Sequence, residues 1–222
     1  MVQTVLCFGD SNTYGSCADP SDTRSDDPVR FAPEERWTGL LARALAPQIR
    51  VVEAGLPDRT TAVPDPKRPG ISAVEALPPC LTAHRPVDLL ILMQGTNDTK
   101  ARLHLSAADI ALGLESVVRQ VQGLDCWADG PRILLLAPPP LAAGVEDPSV
   151  TASMGIGSIA KSRQLPALLR EVAARTGCAF LDTTGLVSLS PVDGIHFTKA
   201  GHCALAHRLA ALVPELLRRD RS

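Results

Sequence analysis

A serine placed after a glycine and an aspartate at the end of an apolar run is a candidate nucleophile. Gly9-Asp10-Ser11-Asn12 follows Val5-Leu6-Cys7-Phe8 in this way. The glycine permits a tight turn and the serine can present its hydroxyl above a strand end, although Gly-Asp-Ser is also an ordinary turn sequence. Far along the chain, Asp193-Gly194-Ile195-His196 sets a carboxylate three residues before an imidazole. Such a carboxylate can accept the Nδ1–H, fix the tautomer and leave Nε2 free to take the Ser11 proton. Glu53-Ala54-Gly55 and Gly95-Thr96-Asn97-Asp98 also end apolar runs. The Ser11 and Gly55 backbone N–H groups and the Asn97 amide would together suit a developing oxyanion. Taken singly, Gly55 reads as a turn glycine, Asn97 as an Asx turn and Asp-x-x-His as a chance spacing. Their joint placement carries the catalytic reading.

These groups can meet only if strands bring them together. Five short apolar runs, Thr4–Phe8, Arg50–Val52, Val87–Gln94, Arg132–Ala137 and Ala179–Asp182, alternate with helical patterns. The third and fourth are continuously apolar, as in strands buried on both faces of a parallel sheet. Helices are expected over Arg36–Leu45, Ser106–Gln122, Ile159–Arg175 and Lys199–Leu217, with Pro166 and Pro214 starting, kinking or ending an element. Ser106-Ala107-Ala108-Asp109 is a capping box. The alternation predicts an α/β fold, a doubly wound three-layer sandwich, in one domain over residues 1–222. In the strand order 2-1-3-4-5, the first strand lies between the second and third, so Ser11, Gly55 and Asn97 would stand side by side. Three stretches lack periodicity, Ser16–Pro33, Pro57–Gly70 and Pro138–Gly157. All leave strand ends where ligands of open sheets bind.

Composition excludes several classes of function. A net charge of −2, from 22 basic and 24 acidic residues, offers no nucleic-acid footprint, and Leu217-Arg218-Arg219-Asp220-Arg221 reads as a solvated tail. No apolar run approaches the ~20 residues that span a membrane. No secretory signal is visible, and the six cysteines form no Cys-x-x-Cys, so reduced thiols and a cytoplasmic setting are expected. Cys80 and His84 have ligand-like spacing but lack a second pair, so no metal is expected.

Gly9-Asp10-Ser11, Gly55, Gly95-Thr96-Asn97-Asp98 and Asp193-Gly194-Ile195-His196 match, in order, the four blocks of the SGNH (GDSL-like) hydrolases. Arg30-Phe31-Ala32-Pro33, Arg36-Trp37-Thr38-Gly39, Arg59-Thr60-Thr61, Asn97-Asp98-Thr99-Lys100, Pro138-Pro139-Pro140-Leu141 and His196-Phe197-Thr198 resemble its bacterial arylesterase/acyltransferase branch. The resemblance spans Val5 to about Leu217. It implies a flavodoxin-like five-stranded parallel sheet and a triad of Ser11, His196 and Asp193. It also implies an oxyanion hole from Ser11, Gly55 and Asn97, small-molecule esters of short acids as substrates, no cofactor, and a tendency to homo-oligomerise. Asn12 replaces the usual Leu, and Pro57-Asp58 stands where small residues are commoner. Asn12, Leu56 and Phe197 are accordingly expected to touch substrate. Phe31, Ala32, Leu56 and Phe197 are expected to form an apolar mouth that lets alcohols compete with water for the acyl group.

Other readings compete. Gly155-Ile156-Gly157-Ser158-Ile159-Ala160 fits a dinucleotide fingerprint, but no convincing strand precedes it. The absence of a Gly-x-Ser-x-Gly elbow argues against the α/β-hydrolase fold. A carbohydrate O-deacetylase or a thioesterase would share the same triad, and a catalytically silent binding module would share the fold.

Overall fold

The computed structural model describes residues 2–218, so residues 219–221 of the basic tail lie outside it. Five strands, β1 (Gln3–Gly9), β2 (Ile49–Gly55), β3 (Leu89–Met93), β4 (Ile133–Ala137) and β5 (Ala179–Asp182), form one sheet in the order β2-β1-β3-β4-β5. Every pairing is parallel, and Gly9 lies opposite both Gly55 and Met93. Helices α1 (Ser11–Tyr14), α2 (Trp37–Leu45), α3 (Ala73–Ala83), α4 (Ala107–Gln122), α5 (Ser158–Thr176) and α6 (Lys199–Arg218) complete the chain.

Alternate residues of the central strands serve opposite faces. Leu89, Ile91, Met93, Leu134 and Leu136 pack with Trp37 and Leu41 of α2 and with Leu205, Leu209 and Val213 of α6. Leu90, Leu92, Ile133 and Leu135 pack with residues of α3, α4 and α5, among them Leu77, Leu114 and Leu169. This two-sided burial explains the continuous apolar runs and yields the expected three layers. The capping box at Ser106 and Asp109 is formed.

Helix α3 was not legible from the sequence because Pro78-Pro79 sits inside it. Ala73, Leu77 and Leu81 are fully buried at four-residue spacing, and this apolar stripe outweighs the amide donors the prolines lack. Pro166 and Pro214 likewise lie within α5 and α6, which continue through them. All six cysteines are free. No helix among the described residues is long and apolar enough to cross a membrane.

The long loops are tied down by buried charges. Glu35 accepts from Thr23 Oγ1 at 2.8 Å and from the Arg24 and Ala32 N–H groups, and Lys199 Nζ reaches it from α6 at 2.5 Å. Burial opposes its charge, but Lys199 and the other donors prevail and hold its carboxyl down at about 2. Arg59 does comparable work at the carboxyl ends of two strands. Its Nη1 donates to Gly9 O at 2.7 Å and Ala54 O at 2.6 Å, and its Nε donates to Ile71 O. The guanidinium lies 4.0 Å from the Phe8 ring centroid. Burial brings its pKa down to about 10, so it remains a cation facing carbonyl dipoles.

Hydrogen bonds to a charged group contribute about 1.5–3 kcal/mol each when buried. Arg59→Met should therefore destabilise the fold by about 3 kcal/mol and lower Tm by about 6–12 °C for a domain of this size. A shift below one degree in thermal unfolding would contradict the role given to Arg59.

Candidate active site

Ser11 opens α1 directly after β1. Asp10 caps the turn, its Oδ1 accepting the Asn12 N–H at 3.0 Å. A Cβ on Gly9 would fall 2.0 Å from Thr13 Oγ1 and 2.8 Å from Met93 O, so the close return of α1 over the strand requires glycine there. Gly55 has the same kind of constraint, since a Cβ would stand 2.1 Å from Tyr14 N. Helix α1 thus rests directly on the end of β2.

His196 is held from its own loop. Its Nδ1 lies 2.5 Å from Asp193 Oδ2, while Asp193 Oδ1 accepts the backbone N–H groups of Ile195 and His196 at 2.9 and 3.1 Å. Burial acts to raise the Asp193 pKa, but the His196 hydrogen bond and charge and these two N–H groups hold it below the usual carboxylate range. The ionised carboxylate therefore fixes the ring with Nδ1 as donor and Nε2 as the basic nitrogen.

Asn12 joins the two halves. Its Nδ2 donates to Ile195 O at 3.1 Å and its Oδ1 accepts the Phe197 N–H at 2.9 Å. It is 2 % exposed and contributes nothing to the cleft surface. This corrects the expectation of substrate contact: both ends of the amide are committed to backbone. Phe197, 1 % exposed, is packed into the core beneath the site and does not line the cleft. Leu56 is not a lining residue either, and its N–H continues the ladder by donating to Gly9 O. Phe31 and Ala32 are buried as well, so the expected apolar mouth is not formed by these residues.

On the other side of Ser11, Asn97 follows β3. Its Nδ2 donates to Arg59 O at 3.1 Å, which leaves the second N–H of the amide uncommitted by that bond. Asp98 accepts from Thr61 N–H and Oγ1, and burial nonetheless pushes its carboxyl up to about 6. Ser11, Asn97 and His196 all line one cleft of about 200 Å³, together with Ser16, Pro57, Asp58, Ser153, Met154 and Ile195. Pro57 and Asp58 were legible as near neighbours of the site. Ser16, Ser153, Met154 and Ile195 were missed, because aperiodic loops do not disclose which side chains turn inward. A wider depression of about 440 Å³ near Arg85 and Trp127 contains none of these groups.

No group of His, Cys, Asp or Glu able to hold a metal occurs among the described residues. Gly155–Gly157 lies in a loop before α5, without the strand a dinucleotide site needs.

The model of the GDSL-like lipase/acylhydrolase family matches residues 7–204. The chain belongs to that family. Among solved structures, the M. smegmatis aryl esterase is 38% identical over 97% of this chain and 100% of its own, with a TM-score of 0.85. A carbohydrate acetylesterase family member from Sinorhizobium meliloti is 33% identical over 97% and 99%, at 0.86. The lipase/acylhydrolase from Enterococcus faecalis, at 20% identity and 0.67, shares the fold over the whole chain. No curated protein sequence matches the chain.

Packed against the core beneath the cleft, His202 is fully buried. Its Nδ1 accepts the Trp37 N–H at 3.3 Å, and the Phe31 and Phe197 rings meet it edge-on at 5.0 and 5.3 Å. Burial, with smaller contributions from His196 and Arg36, pushes its pKa down to about 3. An unfolded histidine titrates near ~6.5, so the stability His202 contributes is complete above that pH and is lost as pH falls toward about 3. The raised Asp98 titrates in the opposite sense, so a difference between variants isolates His202. The stability gap between the wild type and His202→Gln should narrow by up to about 1.4 kcal/mol per pH unit between pH 6 and 4. A gap constant across that range, measured by urea unfolding, would contradict the assignment.

Proposed function

We propose that the protein hydrolyses short-chain acyl esters through an acyl-enzyme on Ser11. The observation that carries this reading is the convergence of Ser11, Asn97 and His196 on one cleft, with His196 oriented by Asp193. In this mechanism His196 Nε2 takes the proton as Ser11 Oγ attacks the ester carbonyl. On this reading the oxyanion is received by the Ser11 N–H and the Asn97 amide, whose residues line the cleft, with the Gly55 N–H as the third expected donor although Gly55 itself is not among the lining residues. His196 then returns its proton to the departing alcohol. A water deprotonated by the same nitrogen releases the acid and restores Ser11. No step calls for a cofactor.

A cleft of about 200 Å³ is smaller than the roughly 300–1,000 Å³ of sites for drug-sized ligands, which favours short acyl groups. Transfer to alcohols belongs to the same reading as a minor activity, since alcohol and water compete for one acyl-enzyme. Pro57, Met154 and Ile195 supply the apolar surface that would retain an alcohol.

The chain should turn over p-nitrophenyl acetate, and Ser11→Ala should abolish that turnover. Asn97→Ala should lower kcat by roughly 10²–10³ with the fold intact, as when one preorganised donor is removed. Unimpaired turnover in Ser11→Ala would refute the acyl-enzyme, and a well-folded wild type without turnover would favour the silent binding module.

A further inference from the structure

Asp58 is the one carboxylate lining the cleft among its described residues. It follows Pro57 in left-handed backbone, with φ 67°, a conformation that Asp and Asn bear more readily than most side chains. Its Oδ1 receives Lys100 Nζ at 2.8 Å, and that lysine side chain is 1% exposed. A lysine so deeply buried needs a charge partner, so the pair is mutually dependent. The Asp58 side chain is still 41% exposed, and its Oδ2 lies 3.7 Å from Arg68 Nε, beyond hydrogen-bond range. One oxygen therefore anchors the carboxylate while the other retains acceptor capacity at the cleft wall.

Another part of the lining is held by the same stretch of chain. The Ala101 N–H donates to Met154 O at 2.7 Å, and Arg102 Nη1 donates to Ser153 O at 2.8 Å. Arg102 is itself gripped by Asp65 at 2.5 Å, which is 1% exposed. Residues 100–102 thus hold both Asp58 and the Ser153–Met154 stretch of the lining in place. An acceptor held rigidly in this way discriminates by what the ligand can donate.

We propose that Asp58 selects esters whose alcohol portion carries a free hydroxyl close to the ester bond, the hydroxyl donating to the carboxylate oxygen that Lys100 leaves open. The inference rests on the ester-hydrolase reading and narrows its substrates to acyl esters of neutral, hydroxylated alcohols. An ionised carboxylate accepts and cannot donate, so an ether oxygen in the same place gains nothing from it.

The test compares three acetate esters of similar size: 2-hydroxyethyl, 2-methoxyethyl and propyl acetate. For the wild type, kcat/KM should favour the hydroxyethyl ester about tenfold over both others, the worth of one charge-assisted hydrogen bond. In Asp58→Asn, whose amide can donate as well as accept, the hydroxyethyl and methoxyethyl esters should come within about twofold of each other. The loss should lie mainly in the KM of the hydroxyethyl ester. Wild-type ratios all within twofold would overturn the proposal while propyl acetate turnover left the esterase reading standing. A hydroxyethyl preference that survived Asp58→Asn would overturn the assignment to Asp58. Failure of the wild type to hydrolyse any of the three would instead strike the esterase reading and this inference with it. Because Asp58→Asn strips a buried lysine of its partner, the double variant Asp58→Asn with Lys100→Met provides the same comparison without the stranded charge.

Discussion

The carboxamide of Asn12 grips the residues on both sides of His196. It is bonded to Ile195 O and to the Phe197 N–H, partners 183 and 185 residues away along the chain. Because Asn12 directly follows Ser11, the two bonds fix Ser11, the proposed nucleophile, against the loop that carries His196, its proposed base. The grip is itself restrained, since Asn12 O accepts the Trp37 indole N–H at 3.0 Å and Trp37 packs against α6 through His202 and the apolar core. A buried amide with both ends occupied costs little, whereas one left unpaired would cost about 1–3 kcal/mol. The position of Ser11 relative to the His196 loop is therefore set by one buried side chain bonded to backbone at both ends of its amide.

The proposed oxyanion side is joined in the same manner through Arg59. Its guanidinium holds the ends of β1 and β2, and its carbonyl holds the Asn97 amide. Thr61, two residues on, donates its N–H to the Asp98 carboxylate. Ser11 and Asn97 thus follow strand ends, and the His196 loop is tied to the end of β1 through Asn12. Burial raises Asp10 and Asp98, lowers His202 and draws down Arg59, and the charged groups among them are held by fixed hydrogen bonds, Asp98 from Thr61 and Arg59 to the carbonyls of Gly9 and Ala54. Fixed dipoles in such surroundings stabilise a transition state more effectively than water does.

The layers, the strand order and the positions of Ser11, Asn97, Asp193 and His196 were legible because they rest on short-range signals. Unbroken apolar runs such as Leu89–Met93 report burial on two faces, and glycine at a strand end reports a tight return. What was hidden depended on long-range partners. Pro78-Pro79 concealed a helix that exists because Leu77 and Leu81 find a core. Asn12, Leu56 and Phe197 directly follow Ser11, Gly55 and His196 in the sequence, but adjacency does not decide where a side chain points. Their side-chain directions are decided by residues from distant segments, which no local pattern encodes. Ser153 and Met154 reach the cleft only because Arg102 and Ala101 draw their loop inward.

The central claim is that Asn12 maintains Ser11 in productive register with His196. The most direct measurement is the second-order rate at which a serine-directed phosphonate modifies Ser11 in the wild type and in Asn12→Ala, with the folded fraction checked at the assay temperature. Displacing reacting groups by about 1 Å can cost 10²-fold, so the variant should remain folded and react about 10²-fold more slowly. A folded Asn12→Ala protein that reacted within twofold of the wild-type rate would contradict the account.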